Sequence, residues 1–377
     1  MAGLYVHIPF CRQACHYCDF HFSTTLHRVP EMVEGLKQEL RLRRDAWSTR
    51  TFQTLYFGGG TPSMLTTAQL DELFEALHSE YNINPDAEWT LEANPDDLTM
   101  TRLQYLSESP INRLSIGIQA FDDTWLSMMN RSHDSAQAIR VISEARSFGF
   151  RDLTADLIYG MPQMNLNQWK EQVKRLLDFE LPHFSSYALT VEPRTALAHQ
   201  VEKGTVQMPE DGLVEDQFHA LVQAAESAGY EHYEVSNFAR PGHRSKHNTS
   251  YWHGVPYLGI GPSAHSYDGK MRRWNVANNA HYLEALEEGG TFHEQEELSE
   301  ADRYNEWVMT GLRLSDGIRR EGISEFSSAL RAHFDQEVSA AQAAGELVEE
   351  DGYIRIAPWR RFRSDGIASD LFYIQDD

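Results

Sequence analysis

Leu4-Tyr5-Val6-His7-Ile8-Pro9-Phe10-Cys11-Arg12-Gln13-Ala14-Cys15-His16-Tyr17-Cys18 runs from a short apolar strand straight into a loop that holds all three cysteines of the 377-residue chain. The cysteine spacing is C-x3-C-x2-C. Thiolates crowded on one loop point to a metal, because soft sulfur ligands suit iron–sulfur clusters. Three ligands instead of four leave one iron of a four-iron cluster without a protein ligand, and an open metal position is where chemistry happens. The competing reading is a Cys3His zinc site that adds His16 or His21. Structural zinc usually draws its ligands from two separated knuckles, which weighs against it. A disulfide would leave one of the three cysteines over.

Beyond this loop, short apolar runs alternate with amphipathic stretches. Strands are predicted at Leu4–Ile8, Gln53–Phe57, Trp89–Ala93, Arg113–Ile118, Leu153–Tyr159 and Phe184–Leu189, with helices at Glu31–Trp47, Ala68–Tyr81, Arg102–Ser107, Ser135–Phe148 and Leu166–Phe179. Thr66 and Gln69 have the spacing of a capping box ahead of the second helix. Strand and helix alternating at this period indicate parallel βαβ units, in a partial (β/α) barrel or an open doubly wound sheet. Polar groups fall at the strand ends: Gly58-Gly59-Gly60-Thr61-Pro62, Glu92-Ala93-Asn94-Pro95, Gln119, and Asp156 late in its strand. Ligands of parallel α/β folds bind at that edge, and the cysteine loop opens there too. The glycine run is no phosphate loop, since no Gly-Lys-Ser/Thr follows.

After residue 193 the pattern weakens. A helix near Leu213–Ser227 and a strand-like Tyr230–Val235 precede a loop-rich, aromatic segment that extends to about Asn279. Gly289-Gly290 marks the expected boundary between residues 1–290 and a small, mostly helical domain at 291–377 with a strand at Tyr353–Ile356. The net charge is −23. The stretch 301–377 holds 15 acids against 9 arginines, so nucleic acid is not an expected partner. No run approaches the ~20 apolar residues of a membrane span. The chain start lacks the pattern of a signal peptide, and free thiols imply a reducing cytoplasm.

The cysteine spacing after the first strand resembles the radical S-adenosylmethionine enzymes. In that family, three thiolates hold a [4Fe–4S] cluster whose open iron binds S-adenosylmethionine, and Tyr17 beside the last cysteine matches the pattern. The resemblance narrows through Tyr5–Cys11, Phe57–Ser63, Leu91–Pro95, Ser115–Gln119, Asn130–His133, Asp156–Pro162 and Gly311–Leu314, which are similar in order to the oxygen-independent coproporphyrinogen III oxidase family. It implies a partial (β/α)6 TIM-like barrel with a small winged-helix-like C-terminal domain. It also implies S-adenosylmethionine contacts at Tyr5, Gly59, Gly60, Thr61, Glu92, Gln119, Arg131 and Asp156, and cluster ligands Cys11, Cys15 and Cys18. The physics agrees: carboxylates suit hydroxyl and amino groups, and Arg131 suits an anion.

Two departures from the oxidase branch stand out. The oxidases resemble C-x3-C-x2-C-x-C, and here the fourth position is Phe20. They also carry a substantial segment ahead of the cluster, where this sequence has ten residues. Both features are similar to the HemW-type haem chaperone branch. His247-Asn248-Thr249-Ser250-Tyr251-Trp252 also resembles the H-N-x-x-Y-W pattern associated with haem binding in that branch. Histidine is a common axial ligand to haem iron, and Tyr251 and Trp252 suit a flat porphyrin. Residues 235–283 carry six basic residues and one acid, Asp268, in an acidic chain. The expectation is that Arg244 and Lys246 receive the propionates while His247 takes the iron, with His243, His253 and His265 as competing ligands. The implied function is a cytoplasmic haem chaperone that passes haem to an acceptor such as a respiratory, possibly membrane-bound, enzyme. The alternative is radical decarboxylation of coproporphyrinogen propionates. The sequence argues neither for nor against a dimer.

Overall fold

The computed structural model describes residues 2–45 and 51–374. Six parallel strands form its centre: β1 (Gly3–Ile8), β2 (Thr51–Gly59), β3 (Asn82–Ala93), β4 (Arg113–Gln119), β5 (Asp152–Tyr159) and β6 (His183–Ala188). The connecting helices are α1 (Val29–Arg43), α2 (Thr67–Glu80), α3 (Met100–Glu108), α4 (Asp123–Met128), α5 (Ser135–Ser147) and α6 (Leu166–Asp178). The first predicted helix extended to Trp47, and residues 46–50 lie outside the described residues. The capping box forms: Gln69 N–H donates to Thr66 Oγ1 at 3.3 Å, and Thr66 N–H to Gln69 Oε1 at 2.9 Å.

Strand order decides between the two architectures. The strands pair in sequence, β1-β2-β3-β4-β5-β6, without the reversal that defines a doubly wound sheet. Right-handed crossovers in one direction place all the helices on one face, which makes a partial barrel. The side-chain alternation agrees. Leu4, Val6, Leu55, Phe57, Leu91, Leu114, Leu153 and Phe184 are buried in the apolar core. Their neighbours Tyr5, His7, Tyr56, Glu92, Ser115, Asp156 and Ser185 belong to the opposite face, which lines the inside of the barrel.

The segment expected to be loop-rich is more regular than its sequence suggests. After α7 (Ala196–Glu202) and α8 (Asp211–Ser227), β7 (Glu231–Glu234) and β8 (Asn237–Ala239) extend the sheet beyond β6. Then α9 (Lys246–Trp252) precedes β9 (Tyr257–Ile260), β10 (His265–Tyr267), β11 (Met271–Asn275), α10 (Asn279–Glu288) and β12 (His293–Glu297). β9 joins β1 in parallel, and the others continue antiparallel to the far edge. Strands of three to five residues are too short to show a period, and neighbouring strands stabilise them.

A second core gathers Tyr304, Val308, Leu312, Phe334, Val338 and Ile354. It lies among α11 (Glu300–Arg313), β13 (Ile318–Arg319), α12 (Ser328–Ala343), a hairpin of β14 (Leu347–Glu350) and β15 (Tyr353–Ile356), and α13 (Ser364–Asp370). No described helix is long and apolar enough to cross a membrane.

Candidate functional site

The cysteine loop follows β1 and is pinned to the glycine loop after β2. Gly60 N–H donates to Ile8 O at 2.9 Å and Thr61 N–H to Phe10 O at 2.7 Å. This approach requires a missing side chain: a Cβ on Gly60 would lie 2.5 Å from Phe10 O and 2.7 Å from Ile8 O. Gly59 has φ +102°, the left-handed region that glycine enters without strain, and a Cβ there would strike the His7 ring at 2.4 Å.

Two of the cysteine sulfurs receive a side-chain donor: Thr61 Oγ1 donates to Cys11 Sγ at 3.3 Å, and Arg131 Nη1 donates to Cys15 Sγ at 3.3 Å. Burial nevertheless pushes the Cys11 thiol up and the Cys18 thiol to about 12. Desolvated thiolates need a compensating positive charge, which a metal supplies. Among the described residues, no three Cys, His, Asp or Glu side chains converge on a point as one zinc ion would require. His16 and His21 are engaged elsewhere: His16 Nδ1 lies 2.8 Å from Met128 O, and His21 Nε2 lies 2.7 Å from Asn279 Oδ1. A cysteine-only donor set on one loop would suit an iron–sulfur cluster better than a single zinc ion.

The residues expected around S-adenosylmethionine come together at the strand ends and inside the barrel. Glu92 accepts from Tyr56 Oη at 2.7 Å and from Gly59 N–H at 3.1 Å. Burial raises its carboxyl to about 7, and Asp156 adds to the rise against those hydrogen bonds. Burial likewise raises Asp156 to about 6. Its Oδ2 accepts from Ser115 at 3.3 Å, while Oδ1 is buried without a partner. Tyr5 Oη lies 3.0 Å from His7 Nδ1, and His7 Nε2 lies 2.9 Å from the His21 carbonyl. The carbonyl can only accept, so the His7 proton sits on Nε2 and Tyr5 donates. Gln119 holds φ +66° where β4 breaks register, a strained backbone of the kind that collects at functional sites. Arg131 also donates to Asn94 Oδ1 at 2.7 Å and Gly117 O at 2.8 Å, and only its buried Nε lacks a partner.

A cavity of roughly 350 Å³ joins this edge to α9; Tyr5, Gly59 and Glu92 border it together with His247, Tyr251 and Trp252. One distant residue and one adjacent cap hold the start of the helix there. Both oxygens of Glu88, on β3, accept helix N–H groups, from Lys246 and His247, each at 3.0 Å. Ser245 caps the same end by accepting from Asn248 N–H at 3.3 Å. His247 Nδ1 lies 2.8 Å from Thr54 Oγ1, and its ring centroid lies 5.0 Å from that of Tyr56. Burial, reinforced by Arg113, lowers its pKa to about 4, so the ring is neutral at physiological pH.

The structure does not bring Arg244 and Lys246 to the cavity. Arg244 donates to Glu231 and Asp316 at 3.0 and 3.2 Å, and the Lys246 side chain is exposed. The composition of the segment is basic, but acids hold Arg244 ahead of α9, and Lys246, in the first turn, is exposed to solvent. Arg313 on α11 borders the cavity instead, with its guanidinium 4.8 Å over the Trp252 ring. His243, His253 and His265 do not line the cavity either. Sequence reading did not single out Thr54, Tyr56 or Glu88 for the site. The two-residue period of β2 and β3 placed them on the inner face and could have flagged them. Arg313 reaches the cavity only through tertiary docking.

Fold and site together define a radical SAM protein, and the comparisons agree. The profile of the radical SAM superfamily matches residues 5–176, and that of the HemN C-terminal domain matches residues 298–358. The chain belongs to the HemW heme chaperone family. It is 33% identical to heme chaperone HemW of Bacillus subtilis over 86% of each chain. It is 30% identical to heme chaperone HemW of Escherichia coli over 94% of this chain and 93% of that one. The fold is shared with coproporphyrinogen III oxidase (HemN) from Escherichia coli, with a TM-score of 0.86 and 23% identity over 98% of this chain and 90% of that one.

Proposed function

We propose that this protein binds haem in the cavity beside α9 and passes it to an acceptor protein such as a respiratory enzyme, in the cytoplasm. The carrying observation is the setting of His247. Thr54 engages one ring nitrogen, Tyr56 packs against the ring at a tilt, and Tyr251 and Trp252 border the same cavity. Thr54 Oγ1 orients the ring through Nδ1, and in the tautomer that carries its proton there the ring offers Nε2 to a metal. Family membership supports the haem reading over coproporphyrinogen oxidation.

In this reading Cys11, Cys15 and Cys18 hold a [4Fe–4S] cluster, which when bound supplies an electron and an open iron for S-adenosylmethionine. Arg131 and Thr61 steady two of the thiolates by hydrogen bonds. Gly59 and Gly60 let a ligand approach the backbone. Glu92 and the unpartnered Oδ1 of Asp156 accept from hydroxyl or amino groups, and Tyr5 and Gln119 complete the wall. The body that carries both sites extends past the expected boundary at 290 through β12, which pairs with β11, and the C-terminal unit begins at α11.

The test is haem titration of anaerobically reconstituted protein, followed optically and by electron paramagnetic resonance. Wild type is expected to give an axial-histidine haem spectrum that His247→Ala loses while the cluster signal remains. An unchanged spectrum in His247→Ala would remove His247 from the proposal. Release of carbon dioxide from coproporphyrinogen and S-adenosylmethionine would favour the oxidase reading instead.

A further inference from the structure

Two donors on the cavity wall have nothing to donate to. Trp252 Nε1 and Arg313 Nε are both closed off from solvent without a hydrogen-bond acceptor. Their side chains stack, with the guanidinium carbon 4.8 Å from the indole centroid, and both border the cavity that holds His247. Neither group can accept a hydrogen bond, so only an acceptor can satisfy the pair. Arg313 adds a positive charge, of which Asp365 engages the Nη1 side. The rest of the wall favours a flat, apolar body: Phe20, Tyr187 and Tyr251 are 68%, 44% and 43% exposed and border the same cavity. Exposed aromatic faces that converge on one space mark a ligand surface, not a core.

We propose that Arg313 and the indole N–H of Trp252 seat a carboxylate of the ligand, so that α11 of the C-terminal unit completes the cargo site. This assignment rests on the haem reading above, and under it the carboxylate is a propionate. Glu234, also on the wall, is the opposing feature. Its Oε1 is occupied by donors from Ser236 N–H and the Asn237 side-chain amide, and burial favours its neutral form. The carboxylate therefore belongs on the Arg313–Trp252 side. Phe20 gains a role as well: where the related oxidase pattern has a cysteine, this chain presents a ring to the cavity.

The test titrates two ligands, iron protoporphyrin IX and its dimethyl ester, into the full reconstituted protein. A charge-assisted hydrogen bond lost to Arg313→Met should weaken binding of the free acid by roughly tenfold or more. The same substitution should weaken ester binding far less, because the ester keeps a neutral acceptor but carries no charge. Arg313→Lys should recover part of the loss, and Trp252→Phe should show a smaller loss of the same selectivity. Urea unfolding of each variant checks that the C-terminal unit still docks. Equal weakening of both ligands, or no weakening of either, would overturn the assignment. A wild-type protein that binds neither ligand would instead refute the haem reading, and the assignment with it.

Discussion

Replacing Gly60 by alanine adds one methyl group where the backbone leaves no room. The added carbon would lie 2.5 Å from Phe10 O, 2.7 Å from Ile8 O and 2.8 Å from Phe10 N. Real Cβ contacts do not approach that closely, and the obstructing atoms are main chain, so no rotamer change relieves them. The glycine loop must retreat from the start of the cysteine loop. Two hydrogen bonds stretch as it does, Gly60 N–H to Ile8 O and Thr61 N–H to Phe10 O. Each contributes about 1 kcal/mol, and overpacking adds about 1–3 kcal/mol. The expected loss is thus about 3–5 kcal/mol, or a partial relief of it by displacing Thr61 from Cys11. Urea unfolding of the apoprotein reads the first outcome, and iron and sulfide content after reconstitution reads the second. Gly60→Ala protein with wild-type stability and a full complement of iron would refute the reasoning. Gly149 is the control for a generic glycine effect, because a Cβ there meets nothing within 4 Å, although its φ of +90° imposes strain of its own.

Three further outcomes follow from the site. Glu88→Ala removes both acceptors at the start of α9, an expected loss of roughly 2 kcal/mol; haem affinity should fall while the cluster spectrum stays, and unchanged affinity would separate Glu88 from the cargo site. With Glu92 titrating at about 7, affinity for S-adenosylmethionine should fall below neutral pH as the acceptor oxygen is protonated, and calorimetry across pH 6–8 should find that dependence flattened in Glu92→Gln. His7, His133, His232 and His247 are held near 4 in the folded chain, mainly by burial, against an ordinary value of 6.5. The unfolded chain takes up protons first, so their contribution is present above about 6.5 and is lost as pH falls toward 4. Glu92 and Asp156, whose carboxyls are raised, act in the opposite sense but are outnumbered. The urea midpoint should therefore drop between pH 7 and pH 5, and a flat or rising midpoint would contradict these burial assignments.

The alternation of apolar runs with amphipathic helices, together with three cysteines after the first strand, is enough to read six parallel strands and a cysteine loop at their mouth. These are local properties: side-chain period, turn chemistry and ligand spacing act within a few residues. Thr66 and Gln69 cap their helix as their spacing requires. Strand order was not local, and two architectures stayed open until the sequential pairing of β1 to β6 closed one of them. The short elements between residues 236 and 279 had no visible period, because strands this short depend on the sheet they join.

The cavity beside α9 belongs most fully to the tertiary structure. His247, Tyr251 and Trp252 were legible as a motif, but their cavity was not. It exists because Glu88, far away in the chain, anchors α9, and because Gly3 leaves space beside the His247 ring, where a Cβ would lie 3.3 Å from it. Basic composition pointed to Arg244 and Lys246, whereas docking of α11 delivers Arg313. Composition counts charge without direction. Only the packed chain decides which cations border the cavity and which are neutralised by acids brought beside them.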